Sequence, residues 1–520
     1  MNLSFSRTLQ KNRDQITLFA ACSYLILATE RYAREYHYNV LDDAYISFNY
    51  ARQFFRGNGL VFNIGERVEG YTNFLWIMLL SPLYGLSQLL HSDYTRLAIY
   101  LNVAFGCLSL VLTYALAKRL TKHWVSPIVA VLLCLVDNAF VAYSMSGLEN
   151  HLVMCLMLGA LLLVGEDRRR NMWAGACMAL ACMARPDAVL FAGTYGICTL
   201  YLHLKEKEWK LREGLESFLR REAPVLVPLV SIFVAYSVGR FAYYGDWLPN
   251  TFYLKVGSSF DAIERGYPYL LSFLEDRYYV PLLALLALRD CRERLLLWIL
   301  SCTLVHSAYV VYVGGDFYSG HRYLIVLIPL IGVVIARVVD RLTEKILVQH
   351  KERTGEYALV GTLLALFGFS MVALRGCERG PYTHEIQRWN RAVANNVRYM
   401  KWLGKVLPAG KTMVVGDIGA AGLFANVRVI DFFGVIDPVV AHKQVTAFGK
   451  GKAGHEKTAE RQYLLSKKPD LIKWGYISGA LQGEGYYLFT AFPPGLDAEG
   501  LWVRDGLPER GQFLPSTRIG

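Results

Sequence analysis

The sequence predicts an α-helical polytopic membrane protein that ends in a small α/β domain, and three observations lead to this prediction. The 520-residue chain has a positive mean hydropathy of +0.27 and only 19% charged residues, whereas a soluble domain carries about 25%. Its apolar residues fall in blocks of about 17–25 residues, long enough to cross a bilayer as helices. The last stretch, from residue 377, has ordinary polarity and β-like runs. A fully soluble enzyme, a disordered chain and a fibre are excluded.

Eleven of the apolar blocks are predicted to span the membrane. The charge of the loops decides whether a twelfth block, 73–90, also crosses. If 73–90 does not cross, every basic loop between the spans falls on the same side as the basic N-terminus, as the positive-inside rule requires. The segment 73–90 then lies in the outer membrane interface. The eleven predicted spans are 15–33, 95–117, 124–144, 148–165, 171–185, 187–204, 224–243, 267–288, 294–313, 321–341 and 355–375.

This topology sorts the chain into two predicted domains. Residues 1–376 form a transmembrane domain that includes a long first outer loop, 34–94, and residues 377–520 form an outer domain. The basic N-terminal segment is expected to remain as an anchor, because no small-residue cleavage site follows the first block. In this interpretation the net charge of +12 reflects basic loops that stay in the cytoplasm. Most of the ten cysteines lie inside apolar blocks and no CxxC occurs, so no disulfide framework is expected.

The first outer loop begins with an acidic pair, Asp42 and Asp43, in the run LDDAYISFNYAR. A carboxylate at the membrane surface can deprotonate an acceptor hydroxyl, but an acidic pair at the start of a solvated surface helix is equally ordinary. The residues alone leave both interpretations open. Farther along the same loop, Glu69 is a candidate for lining a cavity.

Four further motifs fall on the predicted outer side and carry polar side chains. Carboxylates there can bind sugar hydroxyls, and basic groups can hold a phosphate, Arg in a bidentate way. Helix capping, mutual ion pairing and snorkelling toward the interface are the alternatives. The motifs give Glu149 in SGLEN, Arg185 in ARPD, Lys255 in LPNTFYLK, and Asp316, His321 and Arg322 in GGDFYSGHRYL.

The glycine-rich run GDIGAAG at 416–422 follows a β-like run and is predicted to form a tight strand–helix turn rather than a nucleotide loop. Nearby polar residues of the outer domain are expected to be turn and capping residues, with the lining of an acceptor groove as the alternative. They are Asp417, Asp431, His442 and His455. No P-loop, HExxH or CxxC pattern occurs, so ATP-driven transport is not indicated.

Taken together, these motifs resemble one family. DDAYISFNYAR followed by GNGLVFNIGERVEGYTNFLW is similar to the first loop of GT-C fold glycosyltransferases, within them the group of the mycobacterial terminal β-(1→2) arabinofuranosyltransferase. SGLEN, ARPD, LPNTFYLK, GGDF with HRY, and VVGDIGAAGLF resemble the later motifs of that group in the same order. The resemblance extends from about residue 40 to residue 475.

The resemblance implies a multi-pass enzyme of the bacterial inner membrane with a periplasmic active site and C-terminal domain. It would transfer a sugar, arabinofuranose in this group, with inversion from a polyprenyl-phosphate donor to an acceptor hydroxyl of an envelope glycan or glycoconjugate. Asp42 is then the expected base, and Asp43 a supporting acid that orients the acceptor or binds a metal. The expected phosphate ligands are Arg185, Lys255, His321 and Arg322, and the expected sugar or acceptor ligands are Glu69, Glu149 and Asp316.

Several points stay open at this level. A divalent metal is a possible cofactor, since some GT-C enzymes need one and others do not. The acceptor can instead be an exported protein such as a pilin, which would make the enzyme a protein O-glycosyltransferase. A transporter of the lipid-linked sugar is the alternative from another class, but it would place its ions near the membrane midplane, whereas this chain concentrates them at span ends.

Overall fold

The computed structural model describes residues 2–255, 260–277, 280, 293–318, 320–349, 381–445, 448–496 and 498–507. The chain is mostly helical, with one small sheet near its C-terminal end. The helices before residue 350 are α1 Asn2–Glu35, α2 Asp42–Phe55, α3 Phe74–Leu89, α4 Tyr94–Leu120, α5 Val125–Val136, α6 Asn138–Tyr143, α7 Asn150–Leu163, α8 Arg168–Ala184, α9 Val189–Glu206, α10 Leu211–Tyr244, α11 Asn250–Lys255, α12 Phe260–Glu275, α13 Arg294–Tyr312 and α14 Ile328–Gln349. Those after it are α15 Pro381–Val406, α16 Ile418–Phe424, α17 Pro438–Ala441 and α18 Arg461–Ser466.

The chain forms two compact units, each built from three separate stretches. The helical unit comprises Met1–Glu35, Ile99–Val238 and Ala262–Ile386. The mixed unit comprises Tyr36–Ala98, Gly239–Asp261 and Gln387–Gly520. The predicted first outer loop therefore belongs to the same compact unit as most of the C-terminal segment. The domain boundary predicted at residue 376 lies outside the described residues and stays a prediction.

Several predicted spans coincide with helices, while others differ. The predicted spans 148–165, 171–185 and 294–313 correspond closely to α7, α8 and α13. The predicted span 124–144 is divided into α5 and α6, because Asp137 caps α6 and accepts hydrogen bonds from the amides of Ala139 (3.0 Å) and Phe140 (3.2 Å). A carboxylate at a helix start competes with continuation of the preceding helix.

The count of eleven spans stays a prediction. The helix that overlaps the predicted span 267–288 is α12, which begins at Phe260 and ends at Glu275. The predicted span 355–375 lies outside the described residues. Among the helices that the structure does describe, Tyr94–Leu120, Leu211–Tyr244 and Arg294–Tyr312 are long and apolar enough to cross a membrane. The segment 73–90, which the charge pattern predicts not to cross the membrane, forms α3 beside α2, where Arg56 donates a hydrogen bond to the Tyr84 hydroxyl (2.8 Å).

The small α/β arrangement expected near the C-terminus is present, as a five-stranded sheet in the order β2–β1–β3–β5–β4. The strands are β1 Thr412–Val415, β2 Arg428–Asp431, β3 Leu471–Lys473, β4 Tyr486–Phe489 and β5 Leu501–Arg504. Strand β1 pairs in parallel with β2 and with β3, while β5 pairs antiparallel with β3 and β4. Val414, Ile472 and Trp502 are buried in its core. The parallel strands bring the ends of β1 and β3 to the same edge, which positions the residues described next.

Candidate active site

Asp42, the first residue of α2, is held by the start of α16. Its two carboxylate oxygens accept hydrogen bonds from the backbone amides of Gly419 and Ala420, each at 3.0 Å. These amides belong to the first turn of a helix, where they have no partner within the helix itself. The partial positive charge of a helix start also favours a carboxylate there. Asp42 is thus fixed in orientation by two donors.

The glycines of GDIGAAG explain why α2 can approach α16 so closely. A Cβ added to Gly419 would lie 2.0 Å from the backbone oxygen of Asp42, and one added to Gly422 would lie 2.3 Å from the Phe62 ring. The run does form the strand–helix turn predicted from the sequence, between β1 and α16. The amides of its helix start are already occupied by a side chain of the protein.

Arg52 holds the opposite end of α16. Its guanidinium donates to the backbone oxygens of Leu423 (2.7 Å) and Gly422 (2.8 Å), and also to the side chain of Asn49 (2.6 Å). These carbonyls lie in the last turn of α16, where the helix leaves acceptors without internal partners. The helices α2 and α16 therefore run side by side in the same direction, with Asp42 at the start of α16 and Arg52 at its end.

The ionisation of Asp42 is shifted toward neutral pH. Burial, together with the charges of Asp417 and Asp43, raises the pKa of Asp42 to about 7, even though the two amide hydrogen bonds lower it. A general base works best when its pKa lies near the working pH. Asp42 is therefore able both to take up and to release a proton near pH 7.

Asp417, the residue before α16, forms a second polar group at the edge of the sheet. Its carboxylate accepts from the Lys473 ammonium at 3.0 Å, and Lys473 also donates to the Asn396 side-chain oxygen at 3.0 Å. The hydroxyl of Tyr476 donates to Asp417 as well. Desolvation works against ionisation of Asp417, but Lys473 outweighs it, so the pKa of this carboxyl lies below its ordinary value.

Lys255, one of the predicted phosphate ligands, lies in the same unit at the end of α11. Its side chain packs against Gly454, where an added Cβ would lie 3.6 Å from Lys255 Cε. Among the described residues, no carboxylate pairs with its ammonium. His455, next to Gly454, packs edge-to-face against Phe433 with ring centroids 4.4 Å apart. Lys255 thus offers a cationic group that takes part in no ion pair within the described residues.

Glu69, predicted to bind sugar or acceptor, is engaged in a buried ion pair. Arg240 contacts both of its oxygens, with Nε at 2.9 Å from each and Nη2 at 2.7 Å from Oε2. The Glu69 side chain is buried. The backbone oxygen of Glu69 accepts from Asn250 (3.0 Å), whose side chain reaches the backbone oxygens of Gly434 and Val435. This arrangement joins the first outer loop to the LPN motif and to the sheet domain.

The helical unit contains the other predicted ligands, beginning with Arg185. Its guanidinium binds Asp187 through Nε (3.0 Å) and Nη2 (2.8 Å), and it contacts Glu149 through Nη1 (3.2 Å). All three side chains are largely buried. The guanidinium also lies over the Tyr323 ring, 5.4 Å from its centroid. Arg185 is therefore oriented by two carboxylates. Its contact with Asp187, within the same ARPD motif, is the mutual ion pairing given above as an alternative to phosphate binding.

Arg322 and Asp316 form a second buried pair in the helical unit, with Nε 2.7 Å from Oδ2. Arg322 also lies over the Tyr323 ring, 5.3 Å from its centroid. The neighbouring His321 has a left-handed backbone conformation, φ 56°, which is unusual outside glycine. Its ring lies 5.1 Å from that of Tyr269. The motif HRY thus brings a strained histidine and a paired arginine to one place.

The structure therefore divides the predicted residues between its two units. Asp42, Asp43, Glu69 and Lys255 lie in the mixed unit, whereas Glu149, Arg185, Asp316, His321 and Arg322 lie in the helical unit. Among the described residues, no three His, Cys, Asp or Glu side chains converge as a metal site would need. Sequence reasoning missed four residues that the structure places around these groups, namely Arg52, Arg240, Lys473 and Tyr476. The glycines at 419 and 422, on one helix face, were the available signal of a close contact.

Comparison with protein families adds sequence evidence. Residues 384–507 match a domain of unknown function, DUF8728. Two curated relatives are both terminal beta-(1->2)-arabinofuranosyltransferases, as the resemblance of the motifs predicted. The protein from Mycobacterium tuberculosis is 30% identical over 247 residues, 45% of this chain and 37% of the relative. The protein from Corynebacterium glutamicum is 25% identical over 362 residues, 58% of this chain and 49% of the relative. The chain thus spans less than half the length of these relatives.

Solved structures show the fold. ArnT from Cupriavidus metallidurans, bound to undecaprenyl phosphate, has a TM-score of 0.50 at 13% identity and covers 82% of this chain and 86% of its own. The archaeal oligosaccharyltransferase AglB from Archaeoglobus fulgidus, in complex with an inhibitory peptide and a dolichol-phosphate, has a TM-score of 0.50 at 9% identity, covering 79% of this chain and 64% of its own. The chain has the fold of these GT-C membrane proteins, as the sequence predicted.

Proposed function

We propose that this protein is a membrane glycosyltransferase that transfers arabinofuranose from a polyprenyl-phosphate donor to an acceptor hydroxyl of an envelope glycan or glycoconjugate. The similarity to curated arabinofuranosyltransferases supports the sugar, and the GT-C fold supports a lipid-phosphate donor. The active site and the C-terminal domain lie on the periplasmic side in this proposal, in agreement with the distribution of basic loops.

One observation carries the proposal, namely the setting of Asp42. Its carboxylate is fixed by the amides of Gly419 and Ala420, and burial raises its pKa to about 7. A base that is held in one orientation and titrates near neutral pH is suited to activate a hydroxyl.

The reaction then follows from this base. Asp42 takes the proton of the acceptor hydroxyl while that oxygen attacks the anomeric carbon of the donor sugar. The bond from the anomeric carbon to the phosphate oxygen breaks, and polyprenyl phosphate leaves as an anion. Attack from the face opposite the leaving group inverts the anomeric configuration. Because phosphate is a stable leaving group, the protein needs to supply one base and cationic stabilisation of the phosphate.

The cationic groups are proposed to be Lys255, Arg185, His321 and Arg322. Lys255 has no carboxylate partner among the described residues, so a donor phosphate would displace no ion pair there. Arg185 and Arg322 are already oriented by Asp187 and Asp316. A phosphate would add to these preformed geometries. Asp43 supports the base, while Glu69, Glu149 and Asp316 are proposed to order the sugar and acceptor.

The proposal is tested by sugar transfer with the full chain in nanodiscs. Decaprenyl-phosphoryl-arabinofuranose is supplied with an arabinan oligosaccharide, a mannosyl donor serves as the comparison, and EDTA is included in a parallel series. We expect transfer of arabinose and its loss, by at least about a hundred-fold, in Asp42→Asn. The proposed donor is contradicted if the mannosyl compound is consumed and the arabinosyl compound is not.

Asp431 offers a matched control for Asp42. It also accepts two backbone amides, from Phe433 and Ile436 at 2.9 Å each, and burial raises its pKa to about 6. It stabilises a turn after β2, so Asp431→Asn is expected to retain transfer in protein that remains folded. Retained transfer in Asp42→Asn would remove the proposed base. Equal losses in both variants, at equal folding, would show that the assay reports on buried carboxylates in general.

A further inference from the structure

Aspartates that precede helices in this protein usually cap their own helix. Asp137 accepts from the amides of Ala139 and Phe140, and Asp167 accepts from the amide of Arg170 at 2.8 Å. In the sheet domain, Asp437 accepts from Val439 at 3.0 Å. Capping of this kind, onto the second or third amide of the helix, is what an aspartate at this position ordinarily does.

Asp417 occupies the same position before α16 but makes no such hydrogen bond. The second and third amides of α16 are those of Gly419 and Ala420, and both donate to Asp42. Asp417 is instead directed to Lys473 and Tyr476. The start of α16 is therefore capped by an aspartate from α2 and not by the aspartate that precedes the helix.

Pairing with lysine does not by itself prevent capping. Asp437 is bound by Lys467 at 2.7 Å and still accepts the Val439 amide. The difference at α16 is that Asp42 takes both amides, while the Asn396 side chain holds Lys473 in place from α15. Two carboxylates thus lie near one helix start, and Asp42 is the one that accepts its amides.

We propose that Asp417 and Lys473 form a positioning pair for Asp42, in which Lys473 holds Asp417 away from α16 so that its two amides remain available to orient the base. Neither residue needs to touch the substrate. The inference rests on the proposed function, because it concerns the base of that reaction. It gives the domain of unknown function at 384–507 a role in catalysis, through α16 and the end of β3.

The charges around Asp42 determine what each variant does to its ionisation. Asp43 and Asp417 repel its charge, and Tyr45 and Tyr476 face it from α2 and from the sheet. Lys473 and Lys452 act on Asp417, whereas His455 faces Asp43. Removing Lys473 frees Asp417 to compete for the amides and withdraws a positive charge. Removing Asp417 withdraws a repelling charge and the competitor, so the two variants must shift the ionisation of Asp42 in opposite directions.

The test measures kcat/KM of donor consumption from pH 5 to pH 9 for the full chain. In Lys473→Met the acid limb is expected to move up by about one pH unit, which lowers kcat/KM at pH 7 about five-fold while the plateau at high pH is retained. In Asp417→Ala the limb is expected to move to lower pH. Lys473→Arg should return the limb toward that of the unaltered protein.

Lys467→Met is the matched control, because it removes a Lys–Asp pair whose aspartate caps its own helix. Its acid limb is expected to stay in place. Shifts of Lys473→Met and Asp417→Ala in the same direction, or no shift in either, would overturn the positioning pair. This result differs from failure of the proposed function, which would appear as retained transfer in Asp42→Asn.

Discussion

Asp42 and Arg52, ten residues apart on α2, bind the two ends of the same short helix, α16. Ten residues make about 2.8 turns, so the two side chains project about 80° apart around α2, and both reach α16. The acid meets the amides of α16 and the guanidinium meets its carbonyls, which matches the polarity of the helix dipole at both ends. The carboxylate of Asp42 is thus oriented by the docking of α2 against α16.

Replacement of Gly419 by alanine should separate the two helices. Its Cβ would lie 2.0 Å from the backbone oxygen of Asp42, which no side-chain movement can relieve. We expect a loss of about 1–3 kcal/mol of stability, as for an overpacked contact, together with reduced transfer. Thermal unfolding and donor consumption are the measurements. Gly483→Ala is the control, since nothing lies within 4 Å of its added Cβ; equal stability of the two variants would contradict close docking.

The pH dependence of transfer should show an acid limb near neutrality. The pKa of Asp42 is raised to about 7 by burial and by the neighbouring carboxylates, so the base is protonated and inactive below that pH. Transfer should therefore fall about ten-fold for each pH unit below about 6. The kcat/KM profile of the unaltered protein measures this. A limb near pH 4, where an ordinary aspartate titrates, would rule out the environment described for Asp42.

Glu69→Gln should destabilise the protein through Arg240. The buried guanidinium would keep its charge without the carboxylate that contacts it at 2.7–2.9 Å, and breaking such a pair costs about 3–5 kcal/mol. Denaturant unfolding measures this loss. Glu66→Gln is the comparison, because its partner Arg428 is well exposed and loss of such a pair costs at most about 1 kcal/mol. If Glu69→Gln instead unfolds like the unaltered protein and weakens only acceptor binding, its main role is in the site.

Lys255→Met should weaken donor binding without affecting folding. Its ammonium has no carboxylate partner among the described residues, so its removal leaves no buried charge unpaired. Loss of a charged contact to phosphate corresponds to a rise in donor KM of about ten-fold or more, with a smaller change in kcat. Lys450→Met serves as the control, because Lys450 is largely exposed and 3.9 Å from Asp261. Equal donor KM in the two variants would place the phosphate elsewhere.

The fold class could be predicted from the sequence because its signals are local. Apolar block length, the side of the basic loops and the order of the motifs need no knowledge of tertiary contacts, and α7, α8 and α13 follow the predicted blocks closely. The division of the block 124–144 depended on Asp137, whose carboxylate caps α6 and also pairs with Arg277 at 2.6 Å. The average hydropathy of a block carries no information about such a side-chain cap.

The candidate site was predictable only in part. Asp42 could be singled out by its position after the first span, and GDIGAAG by its glycines. The hydrogen bond between Asp42 and the glycine-rich run joins residues 377 positions apart. The raised pKa of Asp42 also depends in part on Asp417, which is similarly distant in sequence. Lys473 carried no motif, since a single basic residue in a polar segment is ordinary. Arg52 ends the motif DDAYISFNYAR, but the motif did not indicate that its guanidinium would bind the end of α16.

The same long separation along the chain has a consequence for biosynthesis. The ribosome adds Asp42 to the chain 377 residues before Gly419, the first of the two amides that orient its carboxylate. A polypeptide that terminates early would carry the base and the first loop but nothing to hold the carboxylate in place. Synthesis must therefore pass α16 before the carboxylate of Asp42 can be oriented, and copies that end before α16 would lack this arrangement.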